Sequence, residues 1–273
     1  MNILLFQSAL TFNSKNKKMK KILVRSAFTT LVVLLFNCSN SEDSNNISSV
    51  NTTRPTPPIT ALEEVQIGTQ IWSTKNLNVT KYSDGTPITQ VSDPFAWRNL
   101  TTGAWCYVGN NQSNDMTYGK LYNWYAVAGI YDAASAANPA LRKRLAPRGW
   151  HIPTDTEWSY LINTLDPNAM GGDDFNTAGF QMKSTGVISM GTGLWQYYPG
   201  SQGTNSSGFT GLPACYINQF GTTYDPGQAA VWWGSTENNN TEAWVRSVMY
   251  TGGAAARVFY DKKYGCSVRC LRN

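Results

Sequence analysis

The sequence predicts an α+β domain with antiparallel pairing, its helices kept apart from the main run of strands. Three observations predict it. The last third carries four strand-like runs, AAVWWGST, EAWVRSVMY, AARVFYD and CSVRCLRN. One stretch, Asp155 to Leu165, has helical apolar spacing behind a start signal. Residues 166–230 are rich in Gly, Asn, Ser and Thr and poor in periodicity, which predicts long loops crossed by short strands on a rigid support.

The N-terminus reads as export machinery rather than fold. The basic stretch KNKKMKKILVR leads into the apolar FTTLVVLLF and then Cys38. Charge, length and apolar core are those of a secretion signal, with Met19 its natural start. The run is too short for a bilayer span. LLFNCSNSED resembles a bacterial lipoprotein signal, with Leu35 three residues before the cysteine. This divides the chain into a signal (1–37), lipidated Cys38 with a tether (38–60), and one domain (61–273). The tether, SNSEDSNNISSVNTTRPTPPIT, buries too little to repay the entropy of ordering. Localisation follows: exported, lipid-anchored to the outer membrane and surface-exposed, with the lipid as the only membrane attachment.

Six lysines and arginines precede Cys38 and no acid does, so the formal charge of +5 becomes −1 in the mature chain. The basic character belongs to the signal and gives no support to nucleic-acid binding.

Within the domain, VQIGTQIWSTKNL alternates as a hairpin with Gly68 near its turn, and AWCYV is a second strand. YGKLYNWYAVAG reads as a helix, with Tyr118, Leu121, Tyr122 and Tyr125 on one face and Gly129 as its stop. In LAPRGWHIPTDTEWSYLI, Pro153 ends an extended piece, Thr154 is a helix N-cap and Glu157 completes a capping box. Asp155 adds negative charge to the first turn. Trp158, Leu161, Ile162 and Leu165 then form one buried face, stopped near Pro167. Asp155 and Glu157 thus have local tasks, which removes an acid–base pair from consideration. His151, the only histidine, stands in an extended approach to that helix and reads as structural, its neutral ring bridging backbone groups while it packs. There is no Gly-x-Ser-x-Gly nucleophile elbow. Four cysteines follow Cys38, namely Cys106, Cys215, Cys266 and Cys270; an even number in an exported chain predicts disulfides, with three pairings open. On a regular strand Cys266 and Cys270 would lie about 13 Å apart on one face, too far to bond each other. One histidine and no Cys-x2-Cys leave little material for zinc.

The ordered blocks WSTKNLNVTKYSDGTPI, WCYV, YGKLYNWYAV, APRGWHIPTDTEW, NSSGFTGLP, WWGSTE and GCSVRCLRN resemble the Fibrobacter succinogenes major paralogous domain, from about Val65 to Asn273. The resemblance implies an exported lipoprotein of the Bacteroidetes and Fibrobacteres type. That family is in turn similar to the C-type lectin-like fold and its formylglycine-generating enzyme branch, whose helix-opening block IPTDTEW resembles. This implies a small twisted antiparallel sheet, two short helices and a long loop region that carries binding; fold similarity does not carry activity with it. The resemblance covers Cys106 in WCYV and Cys270 in SVRC, whereas Cys215 and Cys266 stand where the pattern more often has other residues. It thereby implies the pairs Cys106–Cys270 and Cys215–Cys266.

The expected function is a binding module that recognises an extracellular glycan or a surface protein through its loops, with Trp195, Tyr197, Tyr198 and Trp232 or Trp233 as anchors. No cofactor is expected. The one metal with plausible ligands is calcium, through Asp173 and Asp174 or through Glu237, Asn238 and Asn240. Two alternatives stand beside this: a structural or adhesin-type component without a small ligand, and an oxidase like the formylglycine-generating enzymes, with Cys266 and Cys270 as its copper pair. The spacing of that pair differs from the enzymes', and the expectation is a protein that is not an enzyme.

Overall fold

The computed structural model describes residues 61–169 and 175–273. The signal, Cys38, the tether and the pair Asp173 and Asp174 lie outside the described residues. The domain is a mixed α+β fold whose described residues form three sheets and six short α-helices, more than the single small sheet and two helices expected.

The first sheet joins β1 (Glu64–Ile67), β2 (Gln70–Ser73), β11 (Leu271–Arg272) and β6 (Trp150–His151), in that order, all antiparallel. Gly68 supplies the positive φ of 59° that turns β1 into β2. The second sheet runs β10 (Gly265–Cys266), β5 (Lys120–Asn123), β4 (Ala104–Tyr107) and β3 (Thr89–Gln90), the last pair parallel. The third is a meander of β7 (Ala229–Glu237), β8 (Glu242–Met249) and β9 (Ala255–Asp261). Around these sit α1 (Pro94–Arg98), α2 (Asp115–Tyr118), α3 (Trp124–Val127), α4 (Ala133–Ala137), α5 (Asp155–Leu165) and α6 (Ala178–Met182).

The helix expected over YGKLYNWYAVAG divides into a strand and one helical turn. Lys120–Asn123 is buried throughout between β4 and β10, and the Asn123 side chain then caps α3 by accepting from Ala126 N–H at 3.0 Å. A short apolar run fits a buried strand and a helix face equally, and packing on both sides decides for the strand. The final run is also not one strand: β10 and β11 belong to different sheets, and the chain between them crosses the interior.

Helix α5 forms where its start signal places it. Thr154 Oγ1 accepts from Glu157 N–H at 3.2 Å and Glu157 Oε2 accepts from Thr154 N–H at 2.7 Å. Trp158, Leu161 and Ile162 are buried. Asp155 accepts from buried Arg246 Nη1 and from Arg257 Nη2, both at 2.8 Å, which fastens the helix to β8 and β9.

Adjacent tryptophans on β7 point to opposite sides and so serve two cores. Trp232 packs with Trp72, Trp158 and Phe209, at centroid separations of 5.3 Å to Phe209 and 6.0 Å to Trp158. Trp233 enters the other core with Trp105, Tyr122 and Trp124, donating to Tyr122 O at 2.8 Å. Arg269 lies between β10 and β11, fully buried. It donates through Nε to Asn76 Oδ1 at 2.8 Å, through Nη1 to Ser73 O at 2.7 Å and Phe209 O at 2.8 Å, and through Nη2 to Thr210 O at 2.7 Å. Its guanidinium stands 4.5 Å from the Phe209 ring centroid. Thr210 holds a left-handed conformation (φ 56°) that a β-branched residue rarely adopts. The Asn205 side chain stabilises it by accepting from Thr210 N–H at 2.8 Å.

Two predictions follow from these charges. Arg269→Met leaves several buried carbonyls unpaired at about 1–3 kcal/mol each, so chemical denaturation should show a loss of at least about 3 kcal/mol; a loss near zero contradicts the role given to Arg269. Burial alone would raise the Asp155 pKa, but Arg257 and Arg246 outweigh it and hold the carboxyl below its ordinary value. Its stabilisation is therefore fully present above the unfolded carboxylate pKa of about 3.9 and lost as pH falls through the lower folded value. Unfolding free energy measured against pH should fall less steeply in Asp155→Asn than in wild type below that point, and parallel curves contradict it.

Candidate functional site

A cluster of four tyrosines forms where the last strands meet the loop after Cys215. The rings of Tyr216 and Tyr224 are 4.7 Å apart and those of Tyr260 and Tyr264 4.6 Å apart; Tyr216 joins the pairs at 5.7 Å to Tyr260 and 5.8 Å to Tyr264. Tyr260 comes from β9, and Tyr264 from the turn that follows it, closed by Tyr264 N–H to Asp261 O at 2.8 Å. Tyr216 and Tyr224 lie on the two arms of a loop, joined by Tyr224 N–H to Tyr216 O at 3.1 Å. Asn218 shapes the loop's tip by accepting from Phe220 N–H and Thr222 N–H, each at 3.0 Å. Loop and turn are bound together by a reciprocal pair, Ile217 N–H to Gly265 O at 3.0 Å and Gly265 N–H to Ile217 O at 2.8 Å. Position 265 needs glycine, because a Cβ there would collide with Ile217 and Trp97.

Tyr224 is 42% exposed and the other three are partly buried. Among the described residues, none of the four hydroxyls has a hydrogen-bond partner. Burial, reinforced by neighbouring phenols and thiols, pushes Tyr216 and Tyr260 above the ordinary phenol pKa; for Tyr264 burial does so, together with Tyr224, Cys266 and Asp261. All three therefore stay protonated and able to donate at neutral pH. The sequence carries the cluster as two tyrosine pairs, in CYINQFGTTYD and VFYDKKYG, but nothing in either segment says that they meet.

The anchors expected from the sequence fare differently. Trp195 is only 3% exposed, and its indole N–H donates to Ser184 Oγ at 3.1 Å and Gly211 O at 3.2 Å. Trp232 is fully buried and donates to Asn76 Oδ1 at 2.9 Å. Both, with Trp233, belong to the core, since a ring enclosed on all sides offers no face to a ligand. Tyr197 and Tyr198 are exposed at 48% and 45%, and Tyr198 meets Tyr250 edge-on at 6.1 Å. Of the oxygen ligands considered for calcium, Glu237 faces Lys262 Nζ at 3.3 Å, Asn238 Nδ2 donates to Glu242 Oε2 at 3.1 Å, and Asn240 offers its backbone carbonyl to Lys262 Nζ at 3.0 Å. An ammonium group already occupies the charge environment that a cation would need. His151 bridges two side chains rather than the backbone groups expected, Glu157 Oε1 at 2.9 Å and Asn273 Oδ1 at 2.8 Å.

The expected disulfides are not formed: Cys106, Cys215, Cys266 and Cys270 are all free and buried. The geometry of the second sheet explains the failure of the Cys106–Cys270 pair. Cys106 stands opposite Leu121 and packs in the cluster of Trp97, Val108 and Ile217, whereas Cys266 stands opposite Tyr122 and shares the other cluster with Cys215 and Cys270. Cys106 and Cys270 thus serve different cores. Cys215 and Cys266 share a core and remain thiols. Burial raises all four thiol pKa values, Cys270 to about 12, which suppresses the thiolate needed for exchange or metal binding.

The chain belongs to the Fibrobacter succinogenes major domain family, whose model matches residues 65–272. No curated protein and no solved structure shows a significant match. Among the described residues, no helix is long and apolar enough to cross a membrane.

A thiol count tests the revised cysteine chemistry. Without reductant, a thiol reagent should find the four domain cysteines unreactive in the folded protein and all four reactive after denaturation. Two or fewer reactive thiols after denaturation would restore the crosslinks.

Proposed function

We propose that this chain is an exported, lipid-anchored binding module of the cell envelope with a C-type lectin-like body, and that it docks a surface protein on the tyrosine cluster. The observation that carries this reading is the cluster of four contacting, partly exposed tyrosines with unpartnered hydroxyls. Tyrosine gives a large, stiff, amphipathic contact at low entropic cost and is enriched at protein interfaces for that reason. Ring geometry favours a protein over a sugar. The tilts of 39–40° at centroid separations of 4.6–4.7 Å pack the rings against one another, so each has less free face to offer. A sugar needs an open face.

A glycan is the second reading, on a different observation. Tyr197 is half exposed with no ring partner among the described residues, and an exposed aromatic ring is the kind of group that stacks on a sugar.

The two readings part on two substitutions. A photoreactive residue in place of Tyr224 should crosslink the intact envelope protein to a discrete partner, and Tyr224→Ala should weaken that complex about tenfold, or about 1.4 kcal/mol, with the fold intact by circular dichroism. Binding to a polysaccharide panel that is lost in Tyr197→Ala and kept in Tyr224→Ala would move the function to the glycan reading.

A further inference from the structure

An exported domain with four unpaired thiols lacks the covalent tie that such domains often carry. The structure supplies the reactants for another. Lys120, at the start of β5, is buried, and its Nζ meets two side chains: Asn78 Oδ1, and Asp115 Oδ1 at 2.7 Å. Asn78 lies in the connection after β2, and Asp115 opens α2. We propose that Lys120 and Asn78 condense into an intramolecular isopeptide bond, with Asp115 carrying the proton.

The chemistry needs an amine, a carboxamide carbon and an acid held in contact, and no oxidant or cofactor. Lys120 passes one proton to Asp115 along their hydrogen bond. The neutral Nζ then attacks Asn78 Cγ. The Cγ–Nδ2 bond breaks as Asp115 gives its proton to the departing nitrogen, the second Nζ proton returning to Asp115. Ammonia leaves and takes up that second proton from Asp115, which returns to its carboxylate. An ammonium side chain and an amide thus become an amide and an ammonium ion, with charge and atoms conserved.

Positioning comes from the backbone around the three residues. Lys120 N–H donates to Leu77 O at 3.3 Å, and Asn76 Nδ2 donates to Tyr118 O at 2.9 Å, so both segments are already fastened. Asn78 Nδ2 points to Asp115 O at 3.4 Å, which turns Oδ1 toward the lysine. Gly119, at φ 72°, permits this approach, since a Cβ would lie 2.9 Å from Leu77 O. Trp105 and Tyr107 flank the ammonium at 4.7 and 5.5 Å from their ring centroids. Asn78 is the exposed member, which leaves the ammonia a way out.

Among the described residues, the two other buried lysines lack the combination. Lys183 Nζ meets only the backbone carbonyls of Ser201, Met249 and Gly252. Lys262 has a carboxylate, Glu237, and a backbone carbonyl, but no carboxamide.

Peptide mapping of the full chain decides the matter. Trypsin cannot cut after an acylated Lys120, so the peptide Asn76–Lys81 should emerge joined to Asn99–Arg142, one ammonia lighter than the two together. Recovery of linear peptides ending at Lys120 in full yield from folded protein would overturn the proposal. Asn78→Asp should form the same link with loss of water in place of ammonia. Asp115→Asn should stay folded by circular dichroism and show at least a tenfold lower yield of linked peptide; full linkage in that variant overturns the role given to Asp115. Because the readout is a covalent mass, it is independent of whether any partner binds the tyrosine cluster.

Discussion

A guanidinium enclosed by carbonyl oxygens holds this domain together. Arg269 takes its acceptors from the end of β2, from Asn76 just beyond it and from the Phe209–Thr210 loop, and so ties together two segments far apart in sequence. Among the described residues no carboxylate meets it. A buried charge without hydrogen-bond partners is costly, so the native arrangement of those loops is also the one that satisfies the arginine. Long loops poor in periodic structure have few contacts of their own to choose a conformation. A single cation with several donors at their centre imposes one, and the left-handed backbone at Thr210 is strain held in place by that demand.

The rest of the architecture follows from the same insertion. The segment from Gly265 to Arg272 joins the second sheet at one end and the first at the other, and passes along β7 through the bridge between Ser267 and Trp232. Its entry places Gly265 against Ile217, which sets the tyrosine loop beside Tyr260 and Tyr264. Its passage fixes Asn76, whose Oδ1 accepts from both Arg269 and Trp232, and with Asn76 the connection that carries Asn78 to Lys120. The outer aromatic surface and the inner lysine site thus depend on one internal strap.

What was legible in the sequence was local. Thr154 with Glu157 announced α5, because a capping box is a contact between near neighbours. Gly68 announced the first hairpin, and the alternation across Ala229–Asp261 announced the three-stranded meander. The misses share one cause. Lys120–Asn123 has the composition of a helix face and becomes a strand only through neighbours on both sides. Trp195 sits among polar loop residues and reads as exposed, yet the loop folds back over it and meets its indole with Ser184 and Gly211. The cysteines fit a disulfide count, but the faces on which they stand depend on the pairing of β4, β5 and β10. The tyrosine cluster is invisible in any one segment because it is assembled from two.

Amide hydrogen exchange tests the strap most directly. If Arg269 and the segment around it unite the loops, the amides of Ser73, Leu77, Ser267 and Cys270, all bonded across the strap, should exchange only through global unfolding, with one common free energy equal to that of β8. Exchange at Ser73 and Leu77 through a separate, lower-energy opening while β8 stays protected would show that the first sheet is held by something else.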